Sequence, residues 1–181
     1  NGHGADYCEI RIEETDNSRL TYRGKSLDTI AQTSGLGGNV RAATKGGWGF
    51  ASFNSLEELS SKVADAVAQS KAVGGSTTEL GQVEPHVEVV PAHIVNDPAE
   101  ISLDEKKRQM DHYNDLVWSV DGINSADIIY GDTSRKTFFG SSDGSYIEQE
   151  QVHVITRISA QARKGSDVQQ AGFSLGSQGD Y

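Results

Sequence analysis

Basic charge, cysteine and long apolar runs are what this sequence has least of. Lys and Arg number 16 against 26 Asp and Glu, a formal net charge of −10. A surface that grips nucleic acid or an anionic membrane needs clustered cations, so direct binding to either is not expected. The one cysteine, Cys8, rules out an internal disulfide and fits a reducing compartment, which points to a cytoplasmic home. It sits in an alternating run, where a small buried hydrophobe is a better reading than a reactive thiol. No stretch approaches the ~18 apolar residues of a membrane span. The opening "NGHGADYCEI" lacks the basic region and apolar run of a secretory leader, so none is expected. Only 35% of the 181 residues are hydrophobic, and the mean hydropathy is −0.50. Those residues nevertheless fall in periodic runs, which favours a folded protein of one domain or two small ones.

What is present reads mainly as strands. "YCEIRIEE" (7–14) alternates, with Cys8, Ile10 and Ile12 on one face. "TDNS" (15–18) is turn chemistry, "RLTYRG" and "SLDTIAQT" are two further extended pieces, and "GLGG" (35–38) breaks the chain again. "NVRAATKGGWGFASF" reads as a hairpin turning at Lys45-Gly46-Gly47, with Trp48, Phe50 and Phe53 bulky enough to anchor a core. A helix over about 55–74 follows, capped by Asn54 or Ser55, with Ser55 and Glu58 at capping-box spacing. Leu56, Leu59, Val63 and Val67 form its stripe, and Gly74-Gly75 ends it. Residues 74–88 read as an exposed loop or linker, and 89–95 as short extended structure weakened by Pro91. A second helix over about 102–121 is announced by Ser102 and Glu105, with Met110, Tyr113, Leu116, Val117 and Val120 as its stripe. Strands return after 123, with turns at "SSDG" and "RKGSD". The strand-rich parts resemble each other, giving sub-repeats 5–54 and 124–176 around a helical and linker region, 55–123. The expected class is α+β: a largely antiparallel sheet, a duplicated β unit, and helices on one side.

Candidate chemistry is sparse. The histidines are His3, His86, His93, His112 and His153, and none falls in an H-E-x-x-H pattern. His86 and Glu88 echo the H-x-E of zinc deaminases, but one cysteine cannot supply the P-C-x-x-C half. His86, His93 and His112 read as solvated, and His153 as lying on the polar face of a strand. Gly140-Ser141-Ser142-Asp143-Gly144 matches G-x-S-x-G, yet that motif works on a strand–elbow–helix, and here strand-like sequence stands on both sides. Gly35 to Val40 fails G-x-G-x-x-G at its last position, and "GGWGFASFN" lacks the Lys-Ser/Thr of a P-loop, so no phosphate site is expected. The carboxylates, at Glu9, Glu13, Glu14, Asp16 and along the helices, read as a solvated acidic surface.

Taken in order, "ADYCEIRIEE", "GLGGNVRAATKGGWGFASFNSLEEL" and "SSDGSYIEQEQVHVITRISAQARKGSDVQQAGFSLGS" resemble the N-terminal region of the TldD/PmbA family, over nearly the whole chain and leaning towards the TldD branch. The telling block is G-x-x-V-R-x(6)-W-G-F-A-S, which contains Gly37, Val40, Arg41, Trp48, Gly49 and Phe50 and is joined by the Ser142-Asp143-Gly144 turn. These are taken as structural signature positions, with no catalytic, cofactor or metal residue among them. The family was first described as modulators of DNA gyrase and is now regarded as metallopeptidases. The resemblance implies a single N-terminal domain over 1–181, with zinc held by an H-E-x-x-x-H helix and a distant cysteine in a C-terminal half that this chain lacks. It further implies hydrolysis of unfolded or extended peptides. Its partners would be that C-terminal domain, a peptide substrate, and a second subunit, either a copy or a PmbA/TldE-like protein. On that reading this domain alone is inactive and supplies chamber walls and dimer contacts; the alternative is a stand-alone protein-interaction module with no enzymatic activity.

Overall fold

Alternation carries further along this chain than its polar punctuation suggests. The structure, a computed structural model, describes residues 4–75 and 80–181. It holds β1 (Tyr7–Arg23), β2 (Ser26–Thr44), β3 (Gly47–Phe53), α1 (Leu59–Val73), β4 (Val87–Val90), α2 (Leu103–Trp118), β5 (Ile123–Ser141), β6 (Tyr146–Lys164) and β7 (Asp167–Ser177). The sheet order is β3-β2-β1-β5-β6-β4, with β7 also on β6. Pairing of β2 with β3 and of β6 with β7 is antiparallel, and the short β4–β6 pair is parallel. The expected α+β class with a mostly antiparallel sheet and two helices is the one observed. His3 and Ser76–Glu79 of the expected loop lie outside the described residues.

Two of the expected breaks are not breaks. "TDNS" lies inside β1, because neighbouring elements satisfy its side chains: Thr133 donates to Asn17 Oδ1 at 2.8 Å, and Lys106 Nζ donates to the buried Ser18 Oγ at 3.1 Å. Cross-strand partners thus replace the local bonds a turn would have used. "GLGG" lies inside β2, where glycine serves close approach: a Cβ on Gly38 would stand 2.3 Å from the Phe53 ring and 2.7 Å from the Arg11 carbonyl. The reversal between β1 and β2 comes instead at Gly24, whose φ of +64° suits glycine. The extended piece placed at 89–95 is β4, which starts at Val87 and stops before Pro91.

By contacts the chain divides into two compact units: 1–15, 35–91 and 135–150 form the first, and 16–34, 92–134 and 151–181 the second. In the first unit, Val40, Ala42, Ala51 and Phe53 of the sheet close on Ala66 and Val67 of α1. Cys8, Ile10, Ile12, Leu59 and Val63 pack around them. Strand β3 explains how α1 comes so close. Its buried positions alternate as Gly47, Gly49, Ala51 and Phe53, and a Cβ on Gly49 would meet the Ala66 carbonyl at 1.9 Å. Ser55 caps a short 3-10 turn, Leu56–Glu58, accepting the Glu57 amide at 3.3 Å. α1 itself starts one turn later without a side-chain cap, and that offset leaves Leu56 exposed, off the stripe predicted for it.

The second unit packs Leu20 and Tyr22 of β1 and Ile128 and Tyr130 of β5 against Met110 of α2, with Tyr113 and Val117 alongside. Ser102 caps α2 as predicted, accepting the Glu105 amide at 3.2 Å. α2 ends at Trp118, so Val120 falls beyond it, and both Val120 and Leu116 are exposed where the stripe placed them inside. The Trp118 indole donates to the Gly24 carbonyl at 3.1 Å and Asn114 to the Lys25 carbonyl at 3.3 Å, tying the β1–β2 turn to the helix. Lys106 and Asp132 form a buried ion pair at 2.7 Å.

Candidate functional site

The signature block owes its pattern to the two faces of a strand pair. On β2 and β3 of the first unit, Val40, Gly49, Ala51 and Phe53 face α1 and are buried. Arg41, Trp48, Phe50 and Ser52 alternate with them onto the helix-free face. Of the three aromatics expected to anchor the core, only Phe53 does so. Trp48 is half-buried and Phe50 is exposed, because the strand's period of two turns both away from α1.

At the centre of that helix-free face is Glu9, a carboxylate expected among solvated charges and found buried. Burying it is tolerable because both oxygens are engaged. Glu9 Oε1 accepts Arg41 Nη1 at 3.1 Å, with Arg11 Nε at 3.8 Å from the same atom. Glu9 Oε2 accepts the Tyr7 hydroxyl at 2.8 Å. Burial first, and then the Glu9 bond, push the Tyr7 phenol up to about 12. Each guanidinium also lies over an aromatic ring, Arg41 over Trp48 at 4.8 Å and Arg11 over Phe139 at 5.2 Å. The Tyr7 ring meets the Trp48 ring edge-on at 6.1 Å.

Beside the pair a groove of about 820 Å³ crosses β3, β2, β1, β5 and β6, with Phe50, Phe139 and Ile147 among its apolar lining and Ser52 and Gln149 among its polar lining. It exists because Gly35 and Gly37 stand where β2 would otherwise carry side chains. A Cβ on Gly37 would meet nothing closer than 3.7 Å. At the edge of the sheet, the Phe50 amide is taken by Gln69 Oε1 of α1 at 3.3 Å, so β3 is partly blunted as a template for a further strand.

The remaining motif residues shape the chain. Ser142, Asp143 and Gly144 form the β5–β6 turn, with Gly144 at φ +96°. Ser142 Oγ accepts the Cys8 amide at 3.1 Å, and the Ser142 amide donates to the Cys8 carbonyl at 2.8 Å. That is a hairpin pinned to β1, not the strand–elbow–helix that activates a serine. Cys8 is half-buried against the first unit's core, and desolvation raises its thiol. His86 Nε2 lies 2.6 Å from Glu88 Oε2, both exposed, and His93, His112 and His153 are exposed. Among the described residues, no three His, Cys, Asp or Glu come together as a metal site would require. Composition carried no sign that Glu9 would be buried, nor did its place opposite Cys8, Ile10 and Ile12 show that Arg41 of β2 would meet it.

Two family models match this chain: PmbA/TldA metallopeptidase domain 1 over residues 8–72, and the PmbA/TldA metallopeptidase central domain over 96–181. A metalloprotease of Synechocystis is 32% identical over 179 residues, covering 98% of this chain and 39% of that protein. A metalloprotease of Methanocaldococcus jannaschii is 28% identical, covering 91% and 37%. The chain therefore spans about two-fifths of the length of these relatives. In fold it matches a protein of Thermotoga maritima described as a candidate modulator of DNA gyrase, with a TM-score of 0.78 at 15% identity, over 96% of this chain and 40% of that one. It also matches TldE of Thermococcus kodakarensis, with a TM-score of 0.67 at 18% identity over 96% and 40%. The two matched domains, in order and over most of the sequence, place this chain in the PmbA/TldD metallopeptidase family.

Proposed function

We propose that this chain is the non-catalytic N-terminal part of a zinc metallopeptidase that hydrolyses unfolded or extended peptides. In that role it supplies walls of the substrate chamber and contacts to a second subunit. The observation that carries the reading is the groove on the helix-free face of the first unit, whose volume of about 820 Å³ and mixed lining suit a ligand. The described residues do not fit a zinc ion, and on this reading the metal would be held by residues beyond this chain, so no step through it is assigned here. When bound there, zinc would polarise the scissile carbonyl and lower the pKa of an attacking water. This chain's contribution is to hold a peptide in place and exclude water around it. The metalloprotease relatives and the TldE neighbour favour a family assembly, either two copies or a pair with a PmbA/TldE-like subunit, working in the cytoplasm as the lone cysteine suggests.

The test is made on the full-length protein. Zinc-dependent cleavage of an unfolded peptide is expected, together with two subunits per particle by light scattering. Deleting residues 1–181 and finding cleavage and assembly unchanged would remove the proposed role.

A further inference from the structure

The arginine pair on the helix-free face has more positive charge than it needs for structure. Glu9 is a single carboxylate shared by two arginines, whose side chains stay 61% exposed at Arg11 and 45% exposed at Arg41. The other charged pair on this face, Arg135 with Glu13 at 3.6 Å, is balanced. Arg11, Arg41 and Glu9 together carry one positive charge on a chain of net charge −10, with Asp143 the carboxylate that acts on the neighbouring Tyr7. Each guanidinium lies over an aromatic ring, Arg41 is hydrogen-bonded to Glu9 Oε1, and Arg11 Nε stands 3.8 Å from the same oxygen. Guanidiniums held against aromatic rings on partly exposed side chains beside a groove are suited to recognising a carboxylate, because part of the ordering cost is already met by the fold.

We propose that the groove binds an extended peptide through an acidic side chain, whose carboxylate meets Arg11 and Arg41. The proposal rests on the peptide-handling role given above. A side chain fits better than a chain terminus because of where Arg11 stands. It is on β1, and the groove continues past it on both sides, over β2 to Phe50 of β3 and over β5 to Gln149 of β6. A peptide lying there passes the arginine in both directions. Phe50, Phe139 and Ile147 would take its apolar neighbours.

The experiment is fluorescence anisotropy on the 181-residue chain, with a labelled, C-terminally amidated peptide of alternating Val and Ser carrying one central Glu. The control peptide carries Gln at that position. Replacing Glu by Gln should weaken binding about tenfold, the worth of a charge-assisted hydrogen bond. Arg11→Gln is the decisive variant, since it leaves the Arg41–Glu9 bond in place; it should reduce the Glu preference to less than about twofold. Arg41→Gln, checked for folding by circular dichroism, should do the same. Equal binding of both peptides overturns the proposal. So does a preference that survives Arg11→Gln, a preference that follows a free C-terminal carboxylate instead of Glu, or no saturable binding up to about 1 mM. Because the readout is binding to this chain, these failures are distinct from failure of the chamber-wall role, which is read from cleavage by the full-length protein.

Discussion

Replacing Gly49 with alanine separates the two uses of glycine in the signature block. Against an open background the change should help, since glycine inside a strand costs about 0.5–1 kcal/mol relative to alanine. Here the added Cβ would stand 1.9 Å from the Ala66 carbonyl oxygen and 2.7 Å from the Ser70 nitrogen, where ordinary contact starts at 3.4 Å. Both obstacles are helix backbone, so no side chain can swing aside and α1 itself must move off β3. A displacement on the order of 1 Å forfeits much of the dispersion between Ala66 and Val67 and the sheet below them. Overpacking of this kind costs about 1–3 kcal/mol, and with backbone as the obstacle the upper end applies, about 3 kcal/mol. The clash therefore outweighs the gain, and thermal unfolding by far-UV circular dichroism should show Tm lower by about 6–12 °C. Gly37→Ala is the matched comparison, because its nearest neighbours would lie at 3.7 and 4.0 Å and its φ is not positive. It should be neutral or gain about 0.4–1 kcal/mol. Equal stability of Gly49→Ala and the parent would refute the close-approach argument for this strand.

Other substitutions probe the second unit and the caps. Asp132→Ala should cost about 3–5 kcal/mol in urea unfolding by leaving Lys106 buried without its partner, whereas the double change Lys106→Met with Asp132→Leu should recover most of that loss. Ser102→Ala should cost about 1 kcal/mol in the same assay, and Ser55→Ala less, because Ser55 caps only a 3-10 turn. Tyr7, Tyr22 and Tyr130 all have phenols raised on folding, by burial first, then by bonds to Glu9 and Asp111 at Tyr7 and Tyr22 and by the nearby charge of Asp132 at Tyr130. A raised pKa stabilises the fold below the unfolded value of about 10, and that stability is lost as pH climbs towards the folded value. Tm should therefore be insensitive to these groups near neutrality and fall steadily above about pH 10; a Tm that holds or rises there would show that these phenols are not more tightly protonated in the folded state. Glu9→Gln should bring the Tyr7 midpoint, about 12 in the parent, back towards the ordinary range in a tyrosinate absorbance titration.

Much of the architecture was legible because periodicity and burial coincide. Cys8, Ile10 and Ile12 pack on one face, the two helices form over most of the spans expected for them with Ser102 capping α2, and "SSDG" turns a hairpin. The two misplaced breaks share one physical source: local residue preference is overruled by partners distant in sequence. "TDNS" stays extended because Thr133 and Lys106 satisfy it, and "GLGG" because Phe53 and the Arg11 backbone fill the space above Gly38. The site was harder still. A strand's alternation shows that Arg41, Trp48 and Phe50 share a face, but not which face α1 covers. Nor does it show that Glu9 would sit buried between two arginines.

The groove is the centre of the functional account, and filling it is the most direct test. Gly37→Leu places a side chain on the groove floor at a position where the first added carbon has room. In the full-length protein, cleavage of an unfolded peptide containing glutamate should fall at least about tenfold in kcat/KM, with zinc content and Tm unchanged. Cleavage that continues at the parental rate would contradict the claim that this face handles the substrate.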